Sequence, residues 1–202
     1  MEDSEIWSRN DPLVTKKVSK AKVAILGVGG LGSNIAMMLT RLGIAKLVLV
    51  DFDIVEASNL NRQFFNQTHI GELKTKALKS ELLKINQNIL IDTLNLKMTK
   101  DNIGEILKDE SLICEAFDNI ESKVMVAEFA SKSSDKTFVL GNGMGGYASS
   151  NLMKTKKFGS NVYICGDQKN ANSLGLMAPR VMICAAMQAN MILRLVMNEK
   201  DV

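Results

Sequence analysis

A strand, a glycine turn and a helix follow one another without interruption near the start of the chain. Val23–Leu26 is a short apolar run of the kind that forms a buried parallel strand. Four glycines come directly after it: Gly27, Gly29, Gly30 and Gly32. The pattern from Ser33 to Leu42 predicts a helix, whose first turn would turn its amide groups and its positive dipole end toward the glycines. The sequence therefore predicts a phosphate site at this turn.

An acidic residue follows the next predicted strand. Lys46–Val50 is apolar apart from its first residue and is followed by Asp51. Asp51 comes about 20 residues after Gly32, the spacing at which dinucleotide-binding folds place an acid against a ribose hydroxyl. The pattern indicates a nucleotide but does not choose between NAD and ATP, and a glycine turn without a ligand remains an alternative.

A polar segment beyond Asp51 favours a triphosphate. Asn59, Arg62 and Lys74 offer amide, guanidinium and ammonium donors within a short stretch of chain. Arginine binds phosphate oxygens through two parallel hydrogen bonds. An NAD-binding protein already holds its pyrophosphate at the glycine turn, so a second cluster of donors would have no role there.

These segments together resemble one protein family. The segments are GVGGLGS from Gly27, DFDIVEASNLNRQ from Asp51, Gly71 with Lys74 after it, and Asp118 with Asn119. They are similar to those of the ThiF, MoeB and HesA family, relatives of the ubiquitin-activating enzymes. The resemblance covers nearly the whole chain, and ASNLNRQ is its most discriminating part. The short length, the segment GLMAPRV at 175–181 and the lack of zinc cysteines are most similar to a short ThiF.

The resemblance implies an activity. Members of this type use ATP and Mg²⁺ to adenylate the C-terminal glycine carboxylate of a ubiquitin-like sulfur carrier, ThiS-like in thiamine (thiazole) biosynthesis, and release pyrophosphate. It also implies a homodimer and a single adenylating domain over residues 1–202. Two alternatives stay open. One is adenylation of another carboxylate, on a molybdopterin carrier, a peptide or a tRNA base. The other is a non-catalytic or NAD-type dinucleotide-binding protein.

The resemblance also implies roles for particular residues. The implied catalytic residues are Arg62, Lys74, Asp118 and Arg9. The implied nucleotide-binding residues are Gly29, Gly30, Leu31, Gly32, Asp51, Asp53, Ser58, Asn59, Arg62, Gln63, Lys74, Asp118 and Asn119. Asp118 would hold the Mg²⁺ that accompanies ATP, because magnesium prefers carboxylate and phosphate oxygens. Asp118 and Asn119 could instead simply cap the next helix, and Arg9 could act in cis, in trans or as a plain surface charge.

Composition narrows the class of protein. The net charge is +3, from 25 basic and 22 acidic residues, and no dense basic run is present, which argues against a nucleic-acid platform. Lys154, Lys156 and Lys157 form the nearest cluster and are interpreted as a solvated strand face. The acidic, polar N-terminus does not resemble a signal peptide, and no apolar run reaches membrane-spanning length, so we expect a cytoplasmic protein without membrane contacts.

Three widely spaced cysteines, Cys114, Cys165 and Cys184, indicate reduced thiols rather than a disulfide framework. His69 is the single histidine and no CxxC pair is present, so we expect no structural zinc site. Cys165 is the best placed of the three for a covalent step, although a structural role is favoured for each.

The remaining pattern predicts an α/β fold that is Rossmann-like and doubly wound, with a mostly parallel sheet. The predicted elements are helices at 70–85, 100–108 and 121–132 and strands at 89–96, 111–115 and 138–142. Residues 151–157 and 161–165 indicate a C-terminal antiparallel extension. Ala178–Val196 predicts a buried helix, packed in the core or against a second subunit. Tight turns explain the glycines at 143, 145 and 146, which could alternatively leave room for the tail of a carrier.

Overall fold

A computed structural model of the chain describes residues 3–169 and 174–202. Within these ranges, seven strands form one sheet and seven α-helices surround it. The strands are β1 (Lys22–Leu26), β2 (Lys46–Val50), β3 (Leu90–Leu94), β4 (Leu112–Glu115), β5 (Thr137–Gly141), β6 (Lys154–Phe158) and β7 (Val162–Gly166). The helices are α1 (Asp3–Ile6), α2 (Pro12–Val18), α3 (Gly32–Leu42), α4 (Lys74–Ile85), α5 (Ile103–Ile106), α6 (Ile120–Lys132) and α7 (Ala178–Val196).

The strand order confirms the predicted doubly wound fold. The order is β3-β2-β1-β4-β5-β7-β6, and every pairing is parallel except that of β6 with β7. The chain winds outward from β1 to β3 and then restarts on the other side of β1 with β4. The carboxyl ends of β1 and β4 therefore form the topological switch point, where open α/β sheets bind their ligands.

The antiparallel extension is a hairpin at one end of the sheet. β7 pairs with β5 in parallel, so only β6 runs in the opposite direction and forms the edge. Lys154, Lys156 and Lys157 of β6 are exposed, which confirms their interpretation as a solvated strand face. Charged side chains on an edge strand also discourage pairing with other chains.

Alternate residues of the central strands divide the core into two layers. Val23 and Ile25 of β1 pack with α3, α4 and α7, whereas Ala24 and Leu26 pack with α5 and α6. α7 is buried along one side through residues such as Cys184. Its predicted bounds are confirmed, and its buried side lies in the core of this chain. No helix within the described ranges is both long enough and apolar enough to cross a lipid bilayer.

The predicted helix at 70–85 begins too early, because α4 starts only at Lys74. Gly71 has a φ of +90°, which a helix does not accommodate, and a 3₁₀ turn at Gln67–His69 precedes it. The helix predicted at 100–108 is shorter in the structure, where α5 spans Ile103–Ile106. The N-terminal segment divides into α1 and α2 because Pro12 begins α2 and the side chain of Asp11 accepts a hydrogen bond from Leu13 N at 2.7 Å.

Candidate functional site

A cleft with about 800 Å³ of open space lies at the switch point of the sheet. The segments that follow β1, β2 and β4 and the start of α4 form most of its walls. Ten of the residues implied by the resemblance line it: Gly29, Gly30, Leu31, Asp51, Asp53, Arg62, Gln63, Lys74, Asp118 and Asn119. Parallel strands bring these segments together because their carboxyl ends meet at one edge of the sheet.

The glycine turn is shaped by close backbone contacts. A Cβ atom on Gly32 would lie 1.8 Å from the carbonyl oxygen of Gly27, so no larger residue fits where α3 begins. A Cβ atom on Gly30 would lie 3.2 Å from Val181 and 3.5 Å from Cγ of Arg62. The N-cap of α3 is Leu31, which offers no side-chain acceptor. Ser33 N donates to the carbonyl of Gly29 at 3.0 Å, and any amide of a helix's first turn that has no such partner is satisfied by a ligand or by solvent.

Asp51 is held in place by two backbone donors. Its Oδ2 accepts from Val28 N at 2.8 Å and its Oδ1 accepts from Asp53 N at 2.8 Å. The residue is 8% exposed, and this burial raises the pKa of its carboxyl group, an effect that the two backbone hydrogen bonds oppose. Asp51 therefore faces the cleft as a rigid acceptor.

Lys74 forms an ion pair with Asp53, and both residues line the cleft. Its Nζ lies 2.8 Å from Oδ2 of Asp53, and its backbone N donates to the carbonyl of Asp53 at 2.9 Å. The Lys74 side chain is 9% exposed and that of Asp53 is 49% exposed. A buried ammonium group whose partner is half-exposed can exchange that partner for another anion in the cleft.

The segment carrying Arg62 is joined to the glycine turn by Asn34. The Asn34 side-chain amide donates to Gly30 O at 2.7 Å and to Arg62 O at 2.9 Å. Arg62 Nη1 donates to Ser58 O at 3.0 Å and to Asn61 Oδ1 at 2.7 Å. Asn34 was not predicted from the sequence, although a polar residue in the first turn of the helix after the glycines was an available signal.

Four of the site residues implied by the resemblance do not line the cleft. Gly32 is packed beneath the glycine turn, and Ser58 is on the outer side of its loop. The Asn59 side chain accepts from Glu56 N at 3.1 Å and so stabilises the loop itself. Arg9 is exposed and lies between α1 and α2. The nucleotide-binding roles implied for these residues stay predictions.

Arg9 belongs to the segment 7–10, which we call the N-terminal arm and which packs against the C-terminal end of α3. Trp7 Nε1 donates to Arg41 O at 2.9 Å, and Asn10 Nδ2 donates to Leu42 O at 3.3 Å. α3 begins at the cleft and ends at Leu42, so the arm is anchored about 15 Å along the helix from the glycine turn.

The segment after β4 lies opposite the glycine turn. A Cβ atom on Gly27 would lie 3.1 Å from Ala116 O. Glu115 Oε1 accepts from Phe117 N at 2.7 Å and lies 2.9 Å from Nζ of Lys123. Burial raises the pKa of Glu115, and Lys123 opposes that rise. This buried pair fixes the backbone immediately before Asp118.

Asn119 caps α6, since its Oδ1 accepts from Ser122 N at 2.8 Å. Asn119 also lines the cleft, so its nucleotide-binding role stays a prediction beside its capping role. Among residues 3–169 and 174–202, no group of three or more His, Cys, Asp or Glu side chains could hold a metal ion by itself. Mg²⁺ usually takes one or two carboxylates together with the phosphates of its substrate, and a single carboxylate at Asp118 fits that kind of site.

All three cysteines are buried. Burial raises the pKa of Cys165 to about 11 and that of Cys184 to about 12, and it raises the pKa of Cys114 well above its usual range. A thiol at ordinary pH is a poor nucleophile in such surroundings. The structural interpretation of the cysteines fits this geometry.

Apolar residues also line the cleft, and none of them was predicted individually as a site residue from the sequence. Phe52, Leu96, Met98 and Phe117 lie along the cleft wall that includes the segment after β3. Met144, Leu176 and Val181 lie near Gly30 and Arg62. The position of Leu96 and Met98 after a parallel strand was an available signal. Met144 follows β5, whereas Leu176 lies just before α7 and Val181 lies in its first turn. Nothing in the order of the chain predicts that these two segments lie side by side.

Comparison with known proteins gives a family match over nearly the whole chain. A model of the family described as "ThiF family" matches residues 4–202. The sulfur carrier protein ThiS adenylyltransferase of Bacillus subtilis (strain 168) is 34% identical over 131 residues, covering 63% of this chain and 39% of that protein. Ubiquitin-like modifier-activating enzyme 5 of Caenorhabditis elegans is 35% identical over 122 residues, covering 55% of this chain and 29% of that protein. The match therefore spans well under half the length of these relatives.

Solved structures share the fold. E. coli tRNA N6-threonylcarbamoyladenosine dehydratase, TcdA, in complex with ATP superposes with a TM-score of 0.85 at 17% identity, covering 97% of this chain and 93% of that one. E. coli MccB with ATP gives a TM-score of 0.70 at 22% identity, covering 94% of this chain and 59% of that one. At these low sequence identities, the similarity shows a shared backbone fold only.

Proposed function

The chain belongs to the ThiF family, and we propose that it is an ATP-dependent adenylyltransferase. In this proposal it activates the C-terminal glycine carboxylate of a ubiquitin-like, ThiS-like sulfur carrier as an acyl-adenylate, in the thiazole branch of thiamine biosynthesis. The name of the Bacillus subtilis relative, a ThiS adenylyltransferase, supports this choice of carrier.

One observation carries the proposal. A glycine turn, a rigid acid and two cationic side chains converge on one cleft at the switch point of the sheet. Asp51 suits ribose hydroxyls, because both of its oxygens are oriented by backbone donors. Arg62 and Lys74 suit phosphates. An NAD-type protein would explain the glycines and Asp51 and would leave both cations without a ligand.

We infer an orientation for the nucleotide from the residues that line the cleft. The base would lie among Phe52, Leu96 and Met98, on the side that β3 contributes, with the ribose at Asp51. The phosphates would then lie over the glycine turn, within reach of Arg62 and Lys74. Gln63 would orient them, since its buried Oε1 has no hydrogen-bond partner within the described residues and its amide can rotate to present either atom.

The reaction brings two anions together. A carboxylate oxygen of the acceptor attacks the α-phosphorus of ATP, a new C–O–P bond forms, and the bond to the leaving pyrophosphate breaks. The chain contributes mainly alignment and positive charge. Lys74 would release Asp53 and bind phosphate, and Arg62 would neutralise the charge that grows on pyrophosphate. A Mg²⁺ ion held through Asp118 would shield the phosphate oxygens from one another.

Protein nucleophiles have no part in this step. The raised pKa values of the three cysteines support a route through the adenylate alone. We further propose that the chain acts as a homodimer, with Arg9 of each subunit serving the cleft of the other. The packing of the N-terminal arm at the far end of α3 supports that arrangement.

ATP–pyrophosphate exchange tests the proposal. The purified chain, with MgATP and labelled pyrophosphate, should show exchange that depends on a ThiS-like carrier ending in two glycines. A molybdopterin carrier, a free peptide and a tRNA with a carboxylated base form the comparison panel. Activity on the peptide or the tRNA with none on any carrier would contradict the carrier assignment. ATP binding without exchange on any member of the panel would contradict adenylation of these acceptors.

A further inference from the structure

Arg180 is a buried cation in the first turn of α7 with no role in the chemistry described above. It is 4% exposed, and its position is electrostatically unfavourable, because a helix carries its positive dipole end at the N-terminus. Burying a charge there costs free energy unless strong partners compensate. The partners of Arg180 therefore indicate what it does.

The guanidinium group of Arg180 binds the loop after β5 through its carbonyl groups. Nε donates to Gly145 O at 3.1 Å, and Nη1 donates to Ala148 O and to Ser149 O, the latter at 3.3 Å. Nη2 is 3.5 Å from Gly143 O. One planar side chain thus contacts four carbonyl groups of the segment 143–149, which we call the β5 loop.

Asp167 completes the set of partners. Its Oδ2 forms a buried ion pair with Nη2 of Arg180, and its Oδ1 accepts from Lys169 N at 2.9 Å. Asp167 comes just after β7 and Arg180 near the start of α7. The ion pair therefore joins the two ends of the connection between these elements, at the point where the β5 loop packs against both.

The β5 loop and the start of α7 form the apolar end of the cleft beside the proposed phosphate site. Met144 of the loop lines the cleft with Leu176 and Val181. Gly146 N donates to Gly175 O at 2.8 Å, which ties the loop to the segment carrying Leu176. Asn61 Nδ2 donates to Leu176 O at 3.3 Å, which joins that segment to the loop of Arg62.

This wall adjoins the glycine turn. The hypothetical Cβ of Gly30 would lie 3.2 Å from Val181. If the phosphates lie over the glycine turn, the acceptor carboxylate has to approach beside this wall. In that arrangement the wall would contact the acceptor.

We propose that Arg180 is a positioning residue that fixes this wall, made of Met144, Leu176 and Val181, and so determines how well the acceptor binds. The proposal rests on the adenylyltransferase function for the identity of the acceptor. The guanidinium group acts through the β5 loop and touches neither substrate.

Arg180→Gln and Arg180→Lys test this role, and Arg194→Gln is the matched control. Arg194 lies on the same helix and pairs with Asp201 at the surface. With the ThiS-like carrier as the probe in pyrophosphate exchange, Arg180→Gln should raise the KM for the carrier by about tenfold or more. The affinity for MgATP, measured by calorimetry without carrier, should stay unchanged. Arg180→Lys should lie in between, because an ammonium group cannot contact the same set of carbonyls.

Hydrogen–deuterium exchange of the full chain supplies a readout independent of the acceptor. Peptides covering 143–149 should exchange faster in Arg180→Gln than in the unmodified chain, while β1 and β2 keep their protection. Equal exchange of the β5 loop in both proteins would overturn the inference whatever the activity. A faster-exchanging loop with an unchanged carrier KM, or a loss of ATP affinity equal to the loss for the carrier, would overturn it as well. Failure of the adenylyltransferase proposal would be seen separately, because the unmodified chain would then show no ATP–pyrophosphate exchange.

Discussion

Lys74 is the residue on which the proposed chemistry depends most. Its ammonium group is buried against a half-exposed carboxylate, so it is available to a phosphate without leaving its place on α4. Lys76 lies two positions further along the same helix and is exposed. The two lysines differ mainly in the direction they face, which makes them a matched pair for mutation.

Lys74→Ala should lower carrier-dependent pyrophosphate exchange by about 100-fold or more, because it removes a fixed positive charge from the transition state. The free energy of unfolding should change little, since the Asp53 carboxylate that loses its partner is half-exposed and solvent can hydrate it. Exchange rates and urea unfolding curves check both statements. Lys76→Ala should match the unmodified chain in both. A near-normal rate for Lys74→Ala would remove this residue from the mechanism.

Asp51 predicts a pH dependence. Burial raises the pKa of its carboxyl group, so the group gains its proton at a higher pH than an exposed aspartate does. The ionised form accepts hydrogen bonds from ribose hydroxyls, so affinity should fall as the pH falls through this raised pKa. Adenosine is the appropriate probe, because it carries the ribose without phosphates that titrate. Titration followed by NMR should show the decline in the unmodified chain and a weak, flat profile in Asp51→Asn. A flat profile in the unmodified chain would contradict ribose binding by Asp51.

At the scale of elements, the glycine turn and the start of α3 form one inflexible unit. A methyl group on Gly32 would overlap the carbonyl of Gly27. Gly32→Ala should therefore lower the free energy of unfolding by about 1–3 kcal/mol and abolish ATP binding, because the turn must open to admit it. Gly104→Ala in α5 is the control, with its nearest neighbour outside the helix at 3.9 Å and an expected gain of about 0.5–1 kcal/mol. Urea unfolding and calorimetry supply the measurements, and normal ATP affinity in Gly32→Ala would refute this account of the turn.

The elements that the sequence predicts well are those with a strong local pattern. The bounds of β2 and α7 match the prediction, and the mostly parallel, doubly wound sheet follows from the alternation of strands and helices. The start of α4 could not be predicted, because helical spacing of apolar residues continues through Gly71 while the backbone there does not. The roles of Glu115 and Arg180 were equally hidden, since each depends on partners that are distant in the sequence or on the strand register.

The residues of the cleft also divide into those that the sequence predicts and those that it does not. Residues inside the recognisable segments, such as Asp51, Arg62 and Lys74, could be selected because the segments follow parallel strands. Asn59 was selected for the cleft, but its side chain stabilises its own loop. That loop folds around a 3₁₀ turn at Ala57–Asn59, and spacing alone does not reveal which of its polar side chains face outward.

At the scale of the whole molecule, the position of Arg9 leads to a test of assembly. Its arm is anchored at the end of α3 away from the cleft, so Arg9 would serve a second copy of the chain. Arg9→Ala and Arg62→Ala should each be inactive alone. Mixing them after subunit exchange should restore about a quarter of the normal rate, because half of the dimers are mixed and each mixed dimer has one intact site. No recovery after confirmed exchange would contradict action in trans.

We propose above all that the cleft binds a nucleoside triphosphate rather than a dinucleotide. Titration calorimetry with MgATP and, separately, with NAD tests it without any knowledge of the acceptor. We expect micromolar binding of MgATP that weakens in Lys74→Ala, and no binding of NAD. Binding of NAD without binding of MgATP would contradict it, because the glycine turn and Asp51 would then serve a dinucleotide and the cations of the cleft would have another purpose.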